Sequence, residues 1–144
     1  MIRVVVELQD FDVGEELAML GPHGAVASFI GHVRGDDGVT TLFLESHPTM
    51  TRRALEALAQ SAMLRWPLAA VTIVHRIGAL AAGERIVLVA TASAHREAAL
   101  AACAYLIDRL KTDVPLWKKE VLASGAARWV EPRDRDAERA AGWT

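Results

Sequence analysis

Apolar and polar positions change period along the chain in a way that marks out its elements. Ile2 to Leu8 is a β-rich run, and Asp12 then stands as the N-cap of a short helix through Met19, which Gly21-Pro22 ends. From Ala25 to Val33 the chain alternates, with Ala27, Phe29, Gly31 and Val33 on one face and Val26, Ser28, Ile30 and His32 on the other. Arg34 continues the second row into the loop GDDG. Thr40 to Glu45 predicts a third strand. A helix follows Pro48-Thr49 from about Thr51 to Arg65, with Leu55, Leu58 and Ala62 on its buried face, and Trp66-Pro67 stops it.

Ala70 to Ile77 and Arg85 to Thr91 predict two further strands joined by a loop containing Gly78 and Gly83. An Ala-rich helix then runs from about His95 to Leu110, apolar over most of its circumference, so more than one neighbour must cover it. Val114-Pro115 enforces an extended exit. Trp117 to Leu122 and Arg128 to Glu131 predict a hairpin around Ser124-Gly125, and the charged tail PRDRDAERAAGWT reads as loosely attached. Residues 1–131 thus form one domain and 132–144 a tail. Strands and helices alternate without a strict βαβ rhythm, which predicts an α+β fold with a mixed or antiparallel sheet.

At 144 residues such a domain buries roughly 68–70 % of its unfolded surface and needs no disulfide or metal to fold. A net charge of −2, with Glu7, Asp10, Asp12, Glu15 and Glu16 concentrated early, argues against nucleic acid as a partner. No apolar run reaches the length of a membrane span and the first residues lack the order of a secretory signal, so the chain reads as cytoplasmic. Cys103, the single cysteine, excludes an intrachain disulfide. It lies on the helical stripe Leu100, Cys103, Ile107, Leu110 and reads as a buried, inert thiol.

The distribution of positive charge adds candidate chemistry. All three lysines, Lys111, Lys118 and Lys119, fall within the nine residues KTDVPLWKK, whereas the thirteen other basic positions, from Arg3 to Arg139, are arginine. An ammonium can lose its proton on burial or act as an amine nucleophile, which a guanidinium cannot, so the cluster reads as a chemical requirement; the alternative is a solvated Lys-rich stretch. Lys111 closes the long helix, where a cation also suits the dipole, while Pro115 and Trp117 hold the next segment extended, so that Lys111 and Lys118 can approach one pocket from different elements. Ser93-Ala94-His95-Arg96 is a local contradiction, because positive side chains at a helix start oppose the macrodipole unless an anion binds there. Two readings stay open: an anion site built from free N–H groups, Ser93, His95 and Arg96, or an Arg96 paired with Glu97 or Glu120. Arg34 either reaches a ligand from its strand end or pairs with Asp36 or Asp37. His32, His47 and His75 read as packing or surface residues, and no metal site is expected.

The strings GAVASFIGHVRG, HRIGAL with Gly83-Glu84, SAHREAAL, KTDVPLWKKE and RWVE resemble, in order from about Phe11 to Glu131, the large, catalytic subunit of molybdopterin synthase, the MoaE family. That resemblance implies an α/β hammerhead fold and a central homodimer. It implies a small ubiquitin-like sulfur-carrier subunit of the MoaD type, whose C-terminal Gly-Gly thiocarboxylate enters a pocket of the large subunit. Sulfur then passes in two rounds to cyclic pyranopterin monophosphate, a pterin phosphate substrate, giving the dithiolene of molybdopterin, with no cofactor on this chain. Position by position, Lys111 and Lys118 match the family's two catalytic lysines, while Arg34, His95 and Arg96 match its substrate-pocket residues; Lys119 is secondary. The compact loop Gly35–Val39 and Ser46-His47 depart from the family pattern. The competing reading is a non-catalytic dimeric module that binds an anionic metabolite or a ubiquitin-like protein, which would not need lysine rather than arginine at two fixed positions.

Overall fold

The computed structural model describes residues 1–130 and 134–143. Strands β1 (Ile2–Glu7), β2 (Ala25–His32), β4 (Leu68–Arg76) and β6 (Arg85–Ser93) form one sheet in the order β1-β4-β6-β2. Its β1–β4 pair is parallel and the others antiparallel. Strands β5 (Gly78–Ala81), β3 (Val39–Ser46), β7 (Leu116–Leu122) and β8 (Ala127–Val130) form a second, wholly antiparallel sheet in the order β5-β3-β7-β8. The helices are α1 (Val13–Leu20), α2 (Met50–Arg65), α3 (Arg96–Asp113) and α4 (Asp134–Ala141). The expected α+β class, mixed sheet, C-terminal hairpin and α/β hammerhead arrangement are all present.

Both central strands of the first sheet are buried on both faces, which is why VTIV and IVLVATA read as continuous apolar runs rather than clean alternation. On one face Val71, Ile73 and Val89 meet Leu55, Ala59 and Ala62 of α2 and Ala99, Ala102 and Leu106 of α3. On the other, Leu20 of α1 covers Ala70, Ala90 and Ala92, while Phe11 covers Val74 and Leu88. The side chain of Asp12 caps α1 by accepting from the Glu15 amide at 2.9 Å, as its position predicts.

The long helix runs back over the strand that feeds it. The Thr91 hydroxyl donates to the Ala99 carbonyl at 2.6 Å, and the Cys103 thiol lies 3.8 Å from the Val89 carbonyl. Its start approaches β2 so closely that a Cβ on Gly24 would collide with the Ala94 carbonyl oxygen. Between α2 and the start of β7, the buried Thr51 hydroxyl accepts the His47 amide at 2.9 Å and donates to the Pro115 carbonyl at 2.6 Å. The His47 imidazole accepts the Thr49 and Met50 amides and so supplies the cap that Thr49 does not.

Three expectations need correction. The segment expected as a loop between β4 and β6 contains β5; with Leu80 its only large apolar residue, GALA carries too little pattern to read as a strand, and pairing with Thr41–Leu44 forms it. The stripe through Cys103 is displaced, since Leu100 is 60 % exposed and the buried face runs through Ala98, Ala99, Ala102, Cys103, Leu106 and Leu110. The described part of the tail, 134–143, is docked rather than loose. Ala140 is buried, and the Trp143 ring stands edge-on to Trp66 and Tyr105 and donates its indole N–H to Asp108 at 2.8 Å. Arg65 covers the three rings at 4.9–6.0 Å and donates to the Trp143 carbonyl. The expected boundary at residues 131 and 132 lies outside the described residues.

An aromatic anchor in contact with two other rings and a guanidinium contributes measurably to folding. Replacing Trp143 by alanine should therefore lower the unfolding free energy by about 2 kcal/mol, read from urea titrations; an unchanged midpoint would mean that the tail contributes nothing.

Candidate active site

Two groups of the predicted residues occupy opposite ends of α3. His95 is the N-cap residue, in extended backbone with φ −130° and ψ 145°, and its ring makes no capping bond. With Gly24, Ala94, Arg96 and Glu97 it lines an open depression of about 450 Å³ at the helix start. His95 and Arg96 are exposed, and among the described residues Arg96 has no ion-pair partner, neither Glu97 nor Glu120. Free helical N–H groups, a guanidinium and an imidazole facing one hollow favour an anion. The Ser93 hydroxyl does not join them, because it is buried and donates to the Pro67 carbonyl at 2.9 Å.

Lys111 lies fifteen residues further along the same helix, about 22 Å away at the helical rise of 1.5 Å per residue. It is 41 % exposed and faces Asp136 of α4 at 3.8 Å. Lys118 enters from β7 opposite Leu44, which is itself opposite Gly78, so the three residues form one row across β5, β3 and β7. Leu44 is buried, and side chains directly opposite one another point to the same face, so Lys118 rises from the inner face of this sheet. Lys119 points the other way, in a row with Phe43 and Trp129 on the outer face, its ammonium 5.8 Å from the Trp129 ring centre. The alternation of a strand thus separates adjacent lysines onto different surfaces.

Arg34 stands exposed just past β2, where the Val33 amide donates to the Glu84 carbonyl at 2.8 Å and the Val33 carbonyl accepts from Gly83 at 2.9 Å. Among the described residues it pairs with neither Asp36 nor Asp37. Since β2 begins at the α3 start and ends here, Arg34 belongs to the end of the molecule that carries Lys111 and Lys118.

Behind the Lys118 row lies a residue that sequence reasoning assigned to packing. His75 is 3 % exposed, and its Nδ1 is 2.7 Å from the Arg76 carbonyl. Burial, chiefly, pushes its pKa down to about 4, and the charge of Lys118 pushes in the same direction. The adjacent Arg76 is also buried, donating to the Leu8 and Arg85 carbonyls and facing Glu84 at 3.7 Å. Burial likewise pushes the Cys103 thiol up to about 11, which leaves it protonated and unreactive near neutrality. Among the described residues, no cluster of three or more His, Cys, Asp or Glu is placed to hold a metal ion.

The protein-family model described as MoaE protein matches residues 6–113. A relative from Pseudomonas aeruginosa, named molybdopterin synthase catalytic subunit, is 48 % identical over 149 residues, covering 99 % of each chain. The solved molybdopterin biosynthesis MoaE protein from Burkholderia ambifaria MC40-6 is 43 % identical, with TM-score 0.85 over 99 % of this chain and 98 % of that one. A Helicobacter pylori 26695 structure, described as a complex of subunits 1 and 2 of molybdopterin-converting factor, is 19 % identical and shares the fold, with TM-score 0.71 over 93 % and 91 % of the two chains.

His75 yields a pH dependence whose sign follows from its lowered pKa. Between about 6.5 and 4 the unfolded chain takes up a proton that the folded one refuses, so this contribution to stability is complete above about 6.5 and is lost as pH falls through about 4. Urea unfolding from pH 7.5 to 4 should show a loss on the order of 3 kcal/mol that is absent in His75→Gln.

Proposed function

The chain belongs to the MoaE protein family, and we propose that it is the catalytic subunit of a molybdopterin synthase, a sulfurtransferase. It takes sulfur from the C-terminal thiocarboxylate of a small ubiquitin-like carrier subunit and delivers it to cyclic pyranopterin monophosphate. Two rounds of transfer give the dithiolene, and each leaves a carboxylate on the carrier tail. The Helicobacter pylori structure of the same fold, a complex of subunits 1 and 2 of molybdopterin-converting factor, supports the partner. The chain's relatives are named as biosynthetic enzymes, and on this reading the chain works in the cytoplasm; separately, no helix of the described residues is long and apolar enough to cross a membrane.

What supports this reading is that two of the three lysines, Lys111 and Lys118, stand on neighbouring elements on either side of the turn from α3 into β7. The end of α3 supplies Lys111 and the start of β7 supplies Lys118, and the connection between them is fixed where Thr51 holds the Pro115 carbonyl. Ammonium groups there neutralise an incoming thiocarboxylate and exchange protons with the reacting centre, work for which arginine is unsuited. The chain's own thiol takes no part, because Cys103 is buried and protonated. Replacing Lys111 by arginine should reduce dithiolene formation, followed by mass spectrometry with thiocarboxylated carrier, by about 100-fold or more, while carrier binding persists. Full turnover by that variant would remove the case for an amine.

The phosphate cradle at His95 and Arg96 is too far from the lysines within one chain to serve them. A homodimer resolves the separation. Strand β2 is an edge of its sheet, with Val26 and Phe29 44 % and 37 % exposed. Antiparallel pairing of β2 with its two-fold mate sets the Gly24 end of one copy against the His32 end of the other, bringing His95 and Arg96 of one copy toward Arg34 and the lysines of its partner. Each composite site then binds the pterin phosphate with Arg34, His95 and Arg96 and reacts it at Lys111 and Lys118.

Complementation tests this arrangement. Arg96→Ala and Lys118→Ala should each be inactive alone, but co-expressed they should regain about a quarter of the wild-type sites, because half the dimers are mixed and each mixed dimer holds one intact site. No recovery from demonstrably mixed dimers would show that the two groups do not share a site.

A further inference from the structure

Three charged or imidazole side chains are less than a tenth exposed among the described residues, and two have an evident structural task. Glu16 accepts two bonds from Arg3, at 2.8 and 2.9 Å. Arg76 ties together the ends of β1 and β6 through the Leu8 and Arg85 carbonyls. His75 differs, because its bond to the Arg76 carbonyl engages Nδ1 and leaves the task of the second ring nitrogen to be assigned.

A carbonyl oxygen can only accept, so the nitrogen 2.7 Å from the Arg76 carbonyl must carry the hydrogen. The tautomer of the neutral ring is thereby fixed, with Nδ1 the donor and Nε2 a bare acceptor. His75 lies on the face of β4 that also carries Val71 and Ile73, beneath α3. Three residues on, after the chain has crossed into the second sheet, Gly78 occupies the row that holds Leu44 and Lys118. Gly78 brings no side chain to that row. The electrostatic influence of Lys118 on the imidazole agrees with this proximity.

We propose that His75 is a positioning residue for Lys118: a neutral imidazole, its tautomer set by the Arg76 carbonyl, whose Nε2 lone pair faces the Lys118 amine and fixes where that amine rests. The proposal depends on the reading that Lys118 acts at the reacting centre. It assigns no chemistry to His75 itself, which stays neutral and exchanges no proton with substrate. What it supplies is a directional acceptor of zero charge, able to orient an ammonium without the full ion pair that a carboxylate would form.

The chain has only three lysines, so a protein labelled with ¹³C,¹⁵N-lysine gives three resolvable side-chain signals, assignable by Lys→Arg at positions 111, 118 and 119. His75→Asn keeps a donor for the Arg76 carbonyl and removes the Nε2 acceptor, whereas His75→Gln carries an acceptor out to the position of Nε2. In folded His75→Asn the Lys118 signal should move while those of Lys111 and Lys119 stay. Turnover with thiocarboxylated carrier should fall about tenfold in kcat with KM for the carrier unchanged. His75→Gln should restore both. A Lys118 signal that does not move in folded His75→Asn, or a loss shared equally by the Gln variant, overturns the proposal. Full turnover by Lys118→Arg would instead overturn the reading beneath it, whatever the signals do.

Discussion

One stretch of backbone, Leu68–Ala81, serves both sheets, and the arrangement of the site follows from that passage. As β4 it is the buried second strand of the first sheet; after Ile77, whose amide still donates to the Glu7 carbonyl at 3.0 Å, it becomes the edge of the second sheet as β5. The change of direction falls at Gly78, with φ +92°, where a side chain would also press on Leu8. Only glycine meets both conditions at little cost. Arg76, immediately before the turn, fastens the neighbouring strand ends of the first sheet through their carbonyls. Lys118 acquires its place from this: the register of β5, β3 and β7 sets it two strands away from Gly78, on the inner face of the second sheet.

The length of α3 imposes the second constraint. A helix that starts at the end of β6 and returns along the whole sheet must put its first and last residues at opposite ends of the molecule. A cation near the last turn is favourable and an anion at the first turn is favourable, so one element offers two complementary places for charge. In the proposed dimer a second copy joins them into a single catalytic centre, its two-fold relation turning the separation within one chain into proximity between two. The free edge of β2 is suited to that role because it spans the same distance and carries apolar side chains that a monomer would leave in water.

Much of this was legible in the sequence, for identifiable reasons. Strands β4 and β6 and helices α2 and α3 announce themselves because long apolar patterns record burial on faces that tertiary packing then confirms. The lysine cluster was visible because the chain otherwise uses arginine, and the resemblance to the family's strings implied substrate-pocket positions for Arg34, His95 and Arg96. What could not be read depends on contacts distant in sequence. GALA becomes a strand only because β3 is already there to pair with it. The tail reads as polar, yet Trp143 anchors it in a niche built by Trp66 and Tyr105. Ser93 fits an anion site by position, but Pro67 claims its hydroxyl, and that carbonyl is 26 residues earlier in the chain. His75 looked like a core residue among valines, and nothing in its local sequence points to Lys118, more than forty residues away.

The treatment of the titratable groups is consistent with a division of labour between subunits. A synthase that kept sulfur on its own cysteine would need a thiol that is exposed and easily ionised; Cys103 is neither, since it is packed between α3 and β6 with its pKa raised to about 11. If the carrier brings sulfur already activated as a thiocarboxylate, this chain need only receive an anion, hold a second anion beside it and manage protons. Those tasks call for positive charge, fixed geometry and at least one group able to give up a proton, and they leave no use for a nucleophilic thiol. In the proposed arrangement, arginines for the phosphate and lysines at the reacting centre meet both demands. Arginine remains charged under all working conditions and binds oxyanions through paired donors, whereas the lysine amine can change its protonation state where the chemistry takes place.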